Sequence, residues 1–224
     1  MLAEQYYCEK KVEMALLQGK EETLEMKLGK EAHEHLLKGT TVVEREQLLN
    51  KIYSGKPVLV REMLLIGKHK DVVIIGLADA VCFYQKRPVF LFEYKFSSRL
   101  RPFREHHVQA KLYCYLLHLM GWNTNKLKYA IVVASPKLMN NEKLRTISTL
   151  ALLLKIKDTT ISVMEGEVKI SIYKFKVEEA VSELEWALGF WKKEREAIPT
   201  RKHTKCETCE YKTICSFSKI AQEF

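Results

Sequence analysis

Gly76-Leu-Ala-Asp79-Ala-Val-Cys-Phe-Tyr84, Gln85-Lys-Arg-Pro88 and Val89-Phe-Leu-Phe-Glu93-Tyr-Lys95 run together as one stretch. Two apolar runs flank a polar tetrapeptide, which predicts a hairpin turning at Gln85 to Pro88. Side chains alternate across a strand, so Glu93 and Lys95 fall on one face, and the hairpin brings Asp79 beside them. Charge inside an apolar strand is costly unless it is paired or holds a metal. The stretch therefore predicts either an ion network kept for packing or two carboxylates and an ammonium gathered for chemistry.

Outward from the hairpin, Pro57 to Ile66 reads as a preceding strand and Gly67 to Asp71 as a polar turn. With Val72 to Tyr84 and Val89 to Phe96 this gives a three-stranded antiparallel meander. A basic loop, Ser97 to Arg104, leads to a helix from Glu105 to about Met120. There Gln109 and Tyr113 share a face, and Leu112, Leu116 and Met120 mark the core side. Tyr129 to Ala134 is a buried strand reached by that helical crossover. A helical run from Asn141 to Leu154 follows, then a hairpin from Thr160 to Phe175 turning near Glu165 and Gly166. A long helix from Val177 to Ala197 is closed by Pro199. Upstream stand two helical runs, Glu4 to Gln18 and Glu22 to Lys38. The second carries an apolar stripe of Leu24, Leu28, Ala32 and Leu36 with His33 at its edge. Strands alternating with helices give an α/β class.

The chain has 224 residues, room for one domain with a real core. Its net charge of +9 favours a polyanionic partner, nucleic acid before membrane. No apolar run is long enough to span a bilayer, and Met1 to Lys11 carries four charges where a signal peptide needs an apolar core. A cytoplasmic location is expected. No phosphate-binding loop is encoded, so no motor is expected. Between Lys86 and Lys111 seven Lys or Arg stand against two Glu. Arg99, Arg101, Arg104 and Lys111 are thus candidate contacts to a phosphate backbone, against the plainer reading of a solvated face.

The tail from Thr200 is polar and basic and holds Cys206-x-x-Cys209 and Cys215. Six cysteines in a reducing compartment read as metal ligands before disulfides. Cys82 and Cys114 fall inside a strand and a helix, as small core residues. Three tail thiols are one short of a closed site, and the nearest fourth is Cys8, so the termini would have to meet. Zinc and an iron-sulfur cluster both remain open on spacing alone.

A helix histidine, an Asp, Glu-x-Lys and Gln-x-x-x-Tyr occur here in fixed order as His33, Asp79, Glu93-x-Lys95 and Gln109-x-x-x-Tyr113. Over Leu24 to Ala134 the chain resembles the PD-(D/E)XK nuclease superfamily, within it the RecB-like branch. With its cysteines it resembles the CRISPR-associated RecB-like exonucleases. The resemblance implies a restriction-endonuclease-like core, a central mixed sheet flanked by helices, over residues 21–197. Residues 1–20 and 198–224 would form a staple around a 4Fe-4S cluster held by Cys8, Cys206, Cys209 and Cys215.

It further implies Mg²⁺ or Mn²⁺ held by His33, Asp79, Glu93 and the Tyr94 carbonyl, with one imidazole suiting Mn²⁺. Lys95 would stabilise charge in the transition state, supported by Gln109 and Tyr113. The implied activity is exonucleolytic cleavage of DNA, commonly single-stranded and 5′ to 3′, in CRISPR spacer acquisition beside the integrase proteins. A homo-oligomer is left open. A RecB-like repair nuclease outside CRISPR, a non-catalytic DNA-end-binding module and a zinc-stapled regulator are the alternatives.

Overall fold

The computed structural model describes residues 2–19, 26, 27, 30, 31, 34, 41–138, 161–165 and 167–218. Most of the Glu22 to Lys38 run, His33 included, and the whole Asn141 to Leu154 run lie outside the described residues. Six strands form one mixed sheet in the order β1-β2-β3-β4-β6-β5. They are β1 (Val58–His69), β2 (Val72–Tyr84), β3 (Arg87–Phe96), β4 (Lys128–Ala134), β5 (Ile161–Glu165) and β6 (Val168–Lys174). The meander β1-β2-β3 is antiparallel. β4 lies parallel to β3, from Phe90 opposite Lys128 to Phe96 opposite Ala134. A parallel neighbour needs a crossover, and helix α3 (Arg104–Leu119) supplies it. The other α-helices with both ends among the described residues are α1 (Glu9–Gln18), α2 (Arg45–Tyr53), α4 (Val177–Trp191) and α5 (His203–Glu207). None is long and apolar enough to cross a membrane.

One face of the sheet packs on α3 and α4 through Leu65, Val81, Leu91, Ile131, Leu116 and Leu184. The other buries Ala80, Cys82, Phe92, Tyr94, Val132 and Ile172. Two strand glycines let α3 approach closely: a Cβ on Gly67 would lie 2.8 Å from Leu119, and one on Gly76 2.6 Å from the Tyr113 ring. Cys82 and Cys114 are fully buried.

Several boundaries differ from the sequence expectations. β1 continues past Ile66 to His69 and the turn is confined to Lys70 and Asp71, because Gly67 and His69 face the core under α3 and α4. The first helical run breaks in two: a 3-10 turn at Glu4–Tyr6, then α1 from Glu9, with Cys8 extended between them. The break frees the Glu9 N–H to reach the Ile198 carbonyl and presents Cys8 Sγ to the Thr200 N–H.

The helix expected to reach Ala197 stops at Trp191. Lys193 adopts a left-handed backbone (φ 59°), and the Arg195 guanidinium turns back onto the Trp186 carbonyl. Met120, expected on the core side of α3, is 40 % exposed because the helix has ended.

The N-terminal segment is stitched to the C-terminal one. Glu9 is 1 % exposed and receives both Arg195 nitrogens, at 2.5 and 2.6 Å, as well as Ile198 N–H at 2.8 Å and Gln5 Nε2 at 2.8 Å. Trp191 Nε1 donates to Gln5 Oε1 at 2.7 Å. Two ammonium groups lie over the Tyr7 ring, Lys205 at 3.9 Å and Lys11 at 5.3 Å.

Candidate active site and cysteine clasp

Regular alternation along β1 and β2 fails at one point. β2 sends Ile74 and Ala78 to the α3 side and then Val81 and Phe83, so the parity changes across Asp79. β1 does likewise, with Met63 and Leu65 on that side and then Val58 and Val60. Glu62, whose φ is 46°, stands opposite Asp79, between the pairs Arg61 with Ala80 and Met63 with Ala78. A non-glycine residue with positive φ is strained and marks local backbone irregularity.

The β2–β3 ladder ends at the same level, at Ala80 opposite Phe92. Beyond it the strands splay, and Asp79 Oδ2 accepts the Tyr94 N–H at 2.7 Å in place of a ladder bond. The fork in the sheet is thus closed by a carboxylate.

Glu93 is fully buried, and the Lys95 ammonium lies 2.6 Å from its Oε1. Lys95 also donates to Gln109 Oε1 at 3.2 Å, and Gln109 Nε2 donates to the Tyr113 hydroxyl at 3.1 Å. α3 therefore supplies a two-residue brace for the ammonium on β3. Burial works to lower the Lys95 pKa, but Glu93 and Asp79 together outweigh it and hold the group charged. Asp79 is pushed up to about 6 by burial, which the Lys95 charge and the Tyr94 N–H offset only in part, and Glu62 adds to the rise. Tyr113 is pushed up to about 12 by burial and the Glu93 charge. His106 is pushed down to about 3 by burial and the Lys95 charge. It is therefore neutral, and its Nδ1 accepts the Phe103 N–H at the start of α3.

Asp79, Glu93, Lys95, Gln109 and Tyr113 thus form one chain of contacts around the Tyr94 backbone. His33 is outside the described residues. The Tyr94 side chain belongs to the opposite core. Two neighbours were not singled out from the sequence. Glu62 becomes visible once the hairpin is folded about Lys70 and Asp71, which sets it across from Asp79. His106 carries no signal, since its role depends on desolvation.

The basic candidates separate into two kinds. Arg99 and Arg101 are exposed, the latter with its guanidinium 5.2 Å from the Phe103 ring. Arg104 instead lies 3.3 Å from Glu183 and over the Tyr6 ring. Lys111 is held by Glu179 at 2.9 Å with its side chain 15 % exposed.

Cys8, Cys206, Cys209 and Cys215 are free thiols that all line one hollow between α1 and the tail. Lys10, Lys11, Lys205 and Lys212 line it too. Burial pushes the Cys209 thiol up, and Lys11 works against that rise. Among the described residues no three of His, Cys, Asp or Glu converge to hold a metal ion.

A comparison with curated proteins finds no match. Among solved structures, one titled "Crystal structure of SSO0001" superposes with a TM-score of 0.48 at 16% sequence identity. The match covers 97% of this chain and 85% of that one. The family description "PD-(D/E)XK nuclease superfamily" matches residues 2–216. That span takes in the splayed fork, the braced lysine and the four cysteines, and the chain belongs to the PD-(D/E)XK nuclease superfamily.

Proposed function

We propose that the chain is a divalent-metal-dependent DNA exonuclease whose catalytic centre is Asp79, Glu93 and Lys95. The observation that carries this reading is the Lys95 ammonium held between buried Glu93 and Gln109, with Asp79 across the fork. The donor set fits a hard cation. Two carboxylates share one ammonium, and Asp79 is driven toward its neutral form by burial, so a further positive charge is called for. Asp79, Glu93 and the Tyr94 carbonyl would hold Mg²⁺ or Mn²⁺, with His33 as the fourth ligand. Once bound, the cation supplies Lewis-acid polarisation of the phosphodiester and a more acidic attacking water.

Lys95 stabilises the negative charge that gathers on the phosphoryl oxygens and orients the attacking water. Gln109, fixed by Tyr113, keeps that ammonium from collapsing wholly onto Glu93. Arg99 and Arg101 draw the phosphate backbone toward the fork.

Cys8, Cys206, Cys209 and Cys215, which line one hollow, would hold a 4Fe-4S cluster, with zinc as the alternative. The resemblance to the CRISPR-associated RecB-like exonucleases extends this reading to single-stranded DNA ends, 5′ to 3′, in CRISPR spacer acquisition beside the integrase proteins in the cytoplasm, with a RecB-like repair nuclease as the alternative.

Labelled single-stranded DNA incubated with Mn²⁺ tests the activity, and label at either end reports polarity. Wild type should shorten the strand, while Asp79→Ala and Lys95→Ala should not. Binding without cleavage by wild type would leave a DNA-end-binding module instead. Iron and acid-labile sulfide in anaerobically purified protein, against zinc, test the clasp.

A further inference from the structure

We propose that the groove opening at Lys95 binds the faces of unpaired nucleobases, so that the chain selects single-stranded nucleic acid by its bases as well as its phosphates. The inference rests on the nuclease reading and names the substrate class of the same site.

The groove holds about 700 Å³, the size of a small-molecule site. Lys95, Gln109 and Tyr113 line it, so it is continuous with the candidate active site. The rest is largely apolar, with Leu188 and Trp191 from α4, Leu2 from the N-terminal segment and Ile74 from β2. Among the described residues lining it, Lys95 and Glu4 are the only charged ones.

Phosphates laid along such walls would lose water and gain no partner, which is costly. Base faces are apolar and stack on aromatic and aliphatic surfaces. A strand whose scissile phosphate sits at Lys95 can meet these walls only with its bases, and in a duplex the base faces are already stacked.

The fork adds hydrogen-bonding groups. The β2–β3 ladder begins at Ala80, so the second edge of β2 from Val72 to Gly76 pairs with no strand among the described residues. That edge lines the groove and presents backbone N–H and C=O groups to base edges in a sequence-tolerant way. Trp191 is pinned by its bond to Gln5, so little ordering accompanies stacking.

Fluorescence anisotropy with the full chain in EDTA, where no cleavage occurs, compares a labelled oligonucleotide with an abasic strand of equal length. Wild type should prefer the base-bearing strand by roughly 5- to 150-fold, the range of one stacked base. Leu2→Gln, on the groove's N-terminal wall, should weaken that preference severalfold. Leu2 lies ahead of the first helical turn and outside the sheet, so this variant should fold.

In a Trp122→Phe, Trp186→Phe background, emission from Trp191 should be quenched by the base-bearing strand and not by the abasic one. Equal affinity for the two strands, with no quenching, overturns the proposal. If the preference and the quenching hold while wild type cleaves nothing in Mn²⁺, the nuclease reading fails and the base-binding groove stands.

Discussion

Replacing Gly76 by alanine should damage catalysis far more than stability. A Cβ at this position would lie 2.6 Å from Tyr113 Cε1, 2.9 Å from its Cδ1 and 3.1 Å from Leu116 Cδ1. Carbon atoms rest at about 3.5 Å or beyond, so the ring must retreat by ~0.9 Å. The Gln109–Tyr113 hydrogen bond is 3.1 Å long. The same retreat would stretch it to about 4 Å, past the limit of a hydrogen bond. Gln109 would then lose one of the two contacts that aim it at Lys95. Overpacking of this kind costs about 1–3 kcal/mol, equivalent to a fall in Tm of roughly 2–12 °C for a chain of this length. A misplacement of about 1 Å in a catalytic array costs on the order of 100-fold in rate. Thermal denaturation and single-turnover cleavage of a labelled strand measure the two effects separately. Gly76→Ala should melt a few degrees early and cleave 10- to 100-fold more slowly, roughly the share of that loss carried by one brace residue. Adding Tyr113→Ala should restore stability without restoring rate. If Gly76→Ala cleaves at the wild-type rate, the brace from Tyr113 through Gln109 to Lys95 has no part in catalysis.

Metal affinity should depend on pH through Asp79, whose folded-state pKa is raised to about 6. Below that value a bound cation must displace a proton, so Mn²⁺ affinity followed by calorimetry should fall by about tenfold per pH unit, and stay flat above about pH 7. Glu9→Gln should unfold easily. It removes the charge from a buried pair with Arg195, worth about 3 kcal/mol by urea denaturation. Burial opposes the Glu9 charge, but Arg195 and the Ile198 N–H lower its pKa on balance below 4.5. The stability this tie contributes is present above the unfolded value and lost as pH falls through the folded one, so in Glu9→Gln that acid-sensitive component should vanish. Arg99→Ala with Arg101→Ala should weaken DNA binding and reduce the slope of log affinity against log salt by about 2. Lys111→Met should leave the slope unchanged, because its charge is already taken by Glu179.

Much of the site was legible because it is local. Gln85 and Lys86 both have positive φ and close the β2–β3 hairpin where a polar tetrapeptide interrupts two apolar runs. Glu93 and Lys95 two apart on one strand, and Gln109 and Tyr113 four apart on one helix, needed only the periods of those elements. The parity change at Asp79 was not legible. It arises because a side-chain carboxylate takes a hydrogen bond that the ladder would otherwise make, and alternation alone predicts an unbroken strand. Other differences come from partners distant in sequence. α4 stops at Trp191 because Arg195 is drawn to Glu9. Arg104 and Lys111 are tied to acids on α4, so a basic stretch of sequence becomes a smaller basic surface.

The bonds from Gln5 and Glu9 to Ala187, Trp191, Arg195 and Ile198 span more than 180 residues. During synthesis at ~5–20 residues per second, the first helix waits about 10–40 s before the segment it docks against exists. Until then a carboxylate destined for burial stays in water, and the thiol beside it has none of its three companions. Assembly of the clasp therefore follows synthesis of the sheet and of α4. A ribosome stalled short of Arg195 would hold a sheet with its hairpins made and its first helix undocked.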